Sequence, residues 1–136
     1  MPGRFLTPRS RSHAALALSP PEPGRYLAID DGTEVVLVAL RPGMTRIGRS
    51  GSADVAFDDG SVSRRHAVVM TRTDGGAEIS DDGSLNGTYV NGERVQRHVL
   101  ADGDEISIGR RTLRYCEVLP NGVQATEELA AAEQAV

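Results

Sequence analysis

The sequence has no tryptophan, two phenylalanines and three tyrosines. Aromatics make up 4% of its 136 residues, too few for the ring platforms on which nucleic-acid bases stack. Cys116 is the one cysteine, so no internal disulfide can form. It lies in the strand-like segment RTLRYCEVL with no base beside it, and reads as a small packed side chain, not a reactive thiol. Long hydrophobic runs are missing as well. The longest, VVLVAL from Val35 to Leu40, is far short of the ~20 residues a membrane helix needs. Near the N-terminus arginines precede AALAL, but Ala14 to Leu18 is shorter than the apolar core of a signal peptide, so the cytoplasm is the default expectation. Net positive charge is absent too: 15 basic residues against 19 acidic ones give a formal charge of -4. Non-specific nucleic-acid binding rests on a basic field, and is not expected of this chain.

Catalytic signatures are equally scarce. No HExxH, CxxC or P-loop is present. Gly48-Arg49-Ser50-Gly51 is glycine-rich but lacks a following helix and the Lys-Ser/Thr pair. Ser84 sits one place too early in Gly83-Ser84-Leu85-Asn86-Gly87 for a nucleophile elbow. Asp-Asp-Gly occurs at 30, 58 and 81, without the spacing of a calcium loop, so these read as turns. The chain is therefore expected to be no enzyme and to need neither cofactor nor metal.

What the chain does have is turns and short β-like runs. Strands are expected over residues 26–29, 34–40, 44–48, 54–57, 67–70, 77–80, 88–90, 93–95, 105–108 and 112–118. Asn91-Gly92 between β-formers predicts a type I′ hairpin. Ile106 and Ile108 alternate with Glu105 and Ser107, the period of a half-buried strand. Ten or so short strands, turn signals roughly every 8–12 residues and no helical period indicate an all-β sandwich. Residues 1–23, interrupted by prolines and carrying Arg4, Arg9 and Arg11, are expected to form a disordered tail. Residues 24–118 form the expected domain. Residues 119–136 are expected to be a second tail, disordered or with a short helix over 127–135 capped by Thr126.

Four arginines, Arg46, Arg49, Arg64 and Arg65, fall in or beside the loops between these strands, with Ser63 just before two of them. A guanidinium presents a planar fork of donors that matches two phosphate oxygens, and a serine hydroxyl adds a third short donor. On an acidic body such a local cluster suits one small anionic group. Alone, each residue has an ordinary reading: Arg64-Arg65 as a solvated loop, Arg46 as a strand residue facing water or paired with an acid, His66 as a satisfied core or loop histidine.

The ordered set is more specific. Gly48-Arg49, then Ser63-Arg64-Arg65-His66-Ala67, then Ser84-Leu85-Asn86-Gly87-Thr88 with Val90-Asn91-Gly92, then Gly103-Asp104-Glu-Ile-Ser-Ile-Gly109 resembles a forkhead-associated (FHA) domain over about residues 24–118. The resemblance implies a sandwich of two antiparallel sheets with about eleven strands, which binds phosphothreonine peptides through loops at one end. It implies that Arg49, Ser63 and Arg64 bind the phosphate and that Asn86 holds the peptide backbone. Leu85 and Ser50 would form the wall of the site, while Gly48, His66 and Gly87 support it structurally, and Arg46 and Arg65 keep lesser roles. Threonine is preferred in the family because a small apolar niche takes its γ-methyl group. Two positions depart from the pattern. Leu85 stands where many members have a Thr or Ser hydroxyl at the phosphate. Ser61 stands where some have a basic residue that reads an acidic side chain beyond it, so no strict acidic preference is expected there. The expected partners are phosphothreonine proteins of a Ser/Thr-kinase pathway, including a Ser/Thr protein kinase itself. A phosphorylated Thr7 or Thr126 is expected to occupy the site intramolecularly. The alternative expectation is an interaction module that uses a sandwich face and ignores phosphate.

Overall fold

The computed structural model describes residues 22–30 and 32–120. The expectations for the N-terminal tail up to residue 21 and for residues 121–136, with Thr7 and Thr126, lie outside those residues, as does Asp31. Eleven strands follow in order: β1 (Gly24–Asp30), β2 (Val35–Leu40), β3 (Gly43–Gly48), β4 (Val55–Ala56), β5 (Ala67–Thr71), β6 (Ala77–Asp81), β7 (Thr88–Val90), β8 (Glu93–Val95), β9 (Arg97–Val99), β10 (Glu105–Ile108) and β11 (Arg111–Val118). They form a six-stranded sheet, β2-β1-β11-β10-β7-β8, and a five-stranded sheet, β4-β3-β5-β6-β9. This is the expected FHA-type sandwich.

Two details differ from the sequence expectation. The sheets are antiparallel except at one edge, where β4 pairs parallel with β3 through Ile47↔Val55 and Gly48↔Ala56. The chain between them turns back beside the end of β3, with the Ala53 N–H on Ser50 O and the Arg46 N–H on Asp54, so β4 sets off in the direction of β3. Strand β9 was not expected. It is set beside β6 by the pairs Glu78↔Val99, Ile79↔His98 and Ser80↔Arg97. Arg-His-Val carries no alternation of its own, and only the neighbouring strand makes it a strand.

The alternation expected for β10 holds: Ile106 and Ile108 are fully buried and Glu105 is exposed. These two join Leu27, Ile29, Leu113 and Tyr115 on the inner side of one sheet, against Ile47, Val69 and Ile79 from the other. Each such side chain contributes about 1.5–3 kcal/mol by leaving water. Val55, Phe57 and Val62 extend the core under one end of the sandwich. That end is thus packed from below, and the loops above it are held on a firm base. The β7–β8 turn has φ of 53° at Asn91 and 86° at Gly92, both positive as a type I′ turn requires. Asn91 is tied down further, its Nδ2 donating to Asp104 at 3.0 Å and its Oδ1 accepting from the Glu105 N–H at 3.0 Å. Cys116 is buried, as its setting in β11 implied.

Candidate functional site

Gly48 ends β3 and faces the segment that carries Ser63 and Arg64. A Cβ at position 48 would lie 2.1 Å from the Arg64 carbonyl oxygen and 3.2 Å from that of Ser63. Without a side chain there, the two backbones join directly. The Arg49 N–H donates to Ser63 O at 2.9 Å and the Ser50 N–H to Arg64 O at 3.2 Å. This junction places Arg49, Ser63 and Arg64 around one open hollow, with Ser50, Ser52, Arg65, Asp82 and Gly83 completing its lining.

His66 lies beneath, with no exposed surface. Its Nδ1 accepts the Ser63 N–H at 3.0 Å, which leaves Nε2 to donate to Gly87 O at 2.8 Å. The ring is therefore the neutral Nε2–H tautomer, assigned from its partners. Its backbone adds two bonds: His66 N–H to Ile47 O at 3.0 Å and Asp82 N–H to His66 O at 2.8 Å. One buried residue thus joins β3, the segment before β5 and the β6–β7 loop.

The remaining side chains have part of their bonding capacity committed and part left. Arg49 Nε donates to Val62 O at 3.0 Å, which fixes the stem and leaves the two terminal amino groups for an anion. The Ser63 hydroxyl accepts the Leu85 N–H at 2.9 Å, so its own proton points elsewhere. Asn86 Nδ2 donates to Ser61 O at 3.0 Å, which leaves Oδ1 as an acceptor. Leu85 itself is 85% exposed, an apolar side chain at the mouth of the loops. Ser50 shares a hydrogen bond with Ser52, Oγ to Oγ at 2.9 Å. Asn86 is not in the lining of the hollow; it stands beyond Ser61, on the next loop.

All fifteen basic residues of the chain are arginines. Among the described residues, Arg49 and Arg64 have no carboxylate partner, while Arg65 pairs with Asp82 at 3.2 Å. Another open groove, lined in part by Ile29, Asp30, Val35, Glu105, Arg110 and Arg114, contains none of the residues expected in the site.

Two aspartates that the sequence presented only as turn residues organise the loops. Asp81 accepts the N–H groups of Gly83 and Ser84 at 3.0 and 3.1 Å and the hydroxyl of Thr88 at 2.7 Å, with the Ser84 hydroxyl as a fourth donor. Burial opposes its ionisation, but the donors, led by Ser84 and Thr88, outweigh burial and hold its carboxyl below the usual range. Asp59 accepts from the hydroxyl and N–H of Ser61 at 2.7 and 2.9 Å and faces Arg110 and Arg111 at 3.6 and 4.0 Å. Its carboxyl is also held low, first by the Ser61 hydroxyl. The spacing Asp81, Ser84, Thr88 is a local signal for such a hub. The link from Asp59 to Arg110 spans too much sequence to leave one.

The family profile described as FHA domain matches residues 45–109. The glycogen accumulation regulator GarA of Mycolicibacterium smegmatis is 52% identical over 72 residues, covering 52% of this chain and 44% of GarA. The chain spans half or less of the length of the curated relatives it matches. Among solved structures, the FhaA FHA domain complexed with the intracellular domain of Rv3910 is similar at 37% identity and a TM-score of 0.64, covering 68% of this chain and 99% of that one. A second, from a study of phosphothreonine-dependent FHA domain interactions, is similar at 37% identity and a TM-score of 0.63, covering 67% and 93%.

Proposed function

The chain belongs to the FHA domain family, and on that premise we propose that it is a phosphothreonine-peptide-binding adaptor and not an enzyme. The observation that carries this reading is the shared hollow in which Arg49 and Arg64 meet Ser63; among the described residues no carboxylate pairs with either guanidinium, and Asp82 in the lining is paired with Arg65. A phosphoryl group carries about -1.5 to -2 at neutral pH, which two arginines match. Each charge-assisted bond contributes roughly 1.5–3 kcal/mol. Arg49 supplies its terminal amino groups, Ser63 its hydroxyl proton, and Arg64 the second charge. Asn86 accepts a backbone N–H of the ligand through Oδ1 and fixes its register. Leu85 and Ser50 wall the site, and Gly48, His66 and Gly87 hold its loops. The similar domain studied for phosphothreonine-dependent interactions supports threonine as the phosphorylated residue.

Within the same proposal a Ser/Thr protein kinase supplies the phosphate and is itself a ligand when phosphorylated, and the setting is the cytoplasm. Among the described residues no helix is long and apolar enough to cross a membrane. Phosphorylated Thr7 or Thr126 competes from within the chain at high effective concentration. The test is fluorescence anisotropy with a phosphothreonine peptide and its unphosphorylated twin. Binding of the first alone, lost in Arg49→Ala, is expected; equal binding of both would sink the reading.

One observation favours a second, phosphate-independent surface. Met44 and Met70 are paired across β3 and β5 and are 49% and 42% exposed, and Val99 stands 61% exposed two strands away in the same row, beyond Glu78. An exposed methionine row is adaptable contact surface. A partner captured equally by wild type and by the Arg49→Ala/Ser63→Ala double variant would place binding there.

A further inference from the structure

Arg46 has no part in the phosphate site described above. It lies on β3 two residues before Gly48, so the two share a face of the strand. Gly48 on that face abuts the Arg64 backbone, which sets Arg46 next to the same loop. There, on the exposed face, it lines a second, much smaller hollow with the apolar Ile47, Ala53 and Ala67 and the polar Ser50, Ser52, Arg64, Arg65 and Asp82. The last five also line the first hollow, so the two are adjacent and share a wall.

Beside its apolar wall, the second hollow offers the donors an anion needs. Among the described residues Arg46 has no ion-pair partner; Asp54 accepts its backbone N–H at 2.8 Å and is not in the lining. The hydroxyls of Ser50 and Ser52 share one hydrogen bond, and the Ser52 N–H donates to Ser50 Oγ at 3.2 Å, so one hydroxyl proton remains to be given. Charge decides the matter. The two hollows together hold four arginines and one aspartate, a surplus of three positive charges. A phosphoryl dianion takes up at most about two of these. One positive charge remains uncompensated, on the side where Arg46 lies.

Building on the phosphothreonine reading, we propose that this hollow is a second anion subsite with Arg46 as its specificity residue. It takes a further anionic side chain of the same ligand, a carboxylate or a second phosphoryl group, carried within a few residues of the phosphothreonine. An extended ligand advances about 3.3 Å per residue, so neighbouring positions reach adjoining hollows. Arg64 stands between the two subsites and serves both.

The test uses the full chain and phosphothreonine peptides that differ in one feature. One has neutral flanks. A second set carries Asp at each neighbouring position in turn, and a third carries phosphoserine at the same positions, which separates the two sources of charge. In wild type, one flanking position is expected to tighten binding by up to about fivefold, the gain of an exposed charge pair, and to lose that gain at high salt. Arg46→Ala should bind the neutral-flank peptide as wild type does and lose the gain; Arg46→Lys should keep part of it. No gain at any position in wild type, or a gain undiminished in Arg46→Ala, overturns the subsite while leaving the phosphothreonine reading intact. Failure of every phosphopeptide to bind removes both.

Discussion

Gly48 and Arg64 are packed backbone to backbone, with 2.1 Å between the Arg64 carbonyl oxygen and the place where a Cβ on Gly48 would sit. The contact is with main chain, which cannot swing aside like a side-chain tip. Gly48→Ala should therefore push the segment bearing Ser63 and Arg64 away from Arg49. The expected cost is about 1–3 kcal/mol of stability, as for other overpacked sites. Phosphopeptide affinity should fall at least tenfold in protein that is still folded. Thermal unfolding and anisotropy on the same sample separate the two effects.

His66→Ala should be among the most destabilising substitutions in the domain. It opens a cavity under the loops and strands the Ser63 N–H and the Gly87 carbonyl, which the ring now satisfies. Unsatisfied buried groups cost about 1–3 kcal/mol each, to which the cavity adds. Urea unfolding should show a lower midpoint with a similar slope. Midpoints within a few tenths of a molar of each other would contradict the bridging role.

The aspartates of the loops predict an acid limit. Asp81 and Asp59 both ionise more readily when folded than their ordinary value of 3.8. The stability they contribute is complete well above 3.8 and is lost as pH falls through their lower folded values, because the unfolded chain takes up protons first. The share due to Asp81, the difference in urea midpoint between wild type and Asp81→Asn, should be constant from neutrality to about pH 5 and then shrink towards pH 2. Asp81→Asn, which cannot ionise, should start lower and decline less.

Leu85 offers a gain instead of a loss. Its N–H already donates to the Ser63 hydroxyl, so its side chain leaves the backbone beside the phosphate donors. Replacing it with Thr adds a hydroxyl at that point. Leu85→Thr should raise phosphopeptide affinity about threefold to tenfold, the worth of one further charge-assisted bond after its ordering cost. Stability should change by less than about 0.5 kcal/mol, since the side chain is 85% exposed. Calorimetric titration of the two proteins checks the first and thermal unfolding the second.

The sequence was most informative where structure is local. The Asn91-Gly92 turn and the alternation of β10 could be read directly, because two or three consecutive residues determine each. Strand β9 could not, since Arg97, His98 and Val99 are extended only through β6. The meeting of Arg49, Ser63 and Arg64 was legible only through the family resemblance. Its physical cause, a glycine facing a carbonyl sixteen residues further on, gives no periodicity to detect. Arg46 faces water from β3, as its place on a strand suggested, but the strand pattern gave no sign that its neighbour across the small hollow is Arg64. Asp81 read as a turn because Asp-Asp-Gly is turn chemistry, and that reading hid its four donors.

The imidazole that bridges the loops also gives the domain a built-in spectroscopic reporter. A ring N–H that is fully buried and donates to the Gly87 carbonyl is shielded from exchange with solvent, unlike that of half-exposed His98. In nitrogen-edited magnetic resonance it should persist as a single sharp imidazole signal of the Nε2–H form. Its exchange rate then measures how often the loop end opens, in the empty protein and without reference to any ligand.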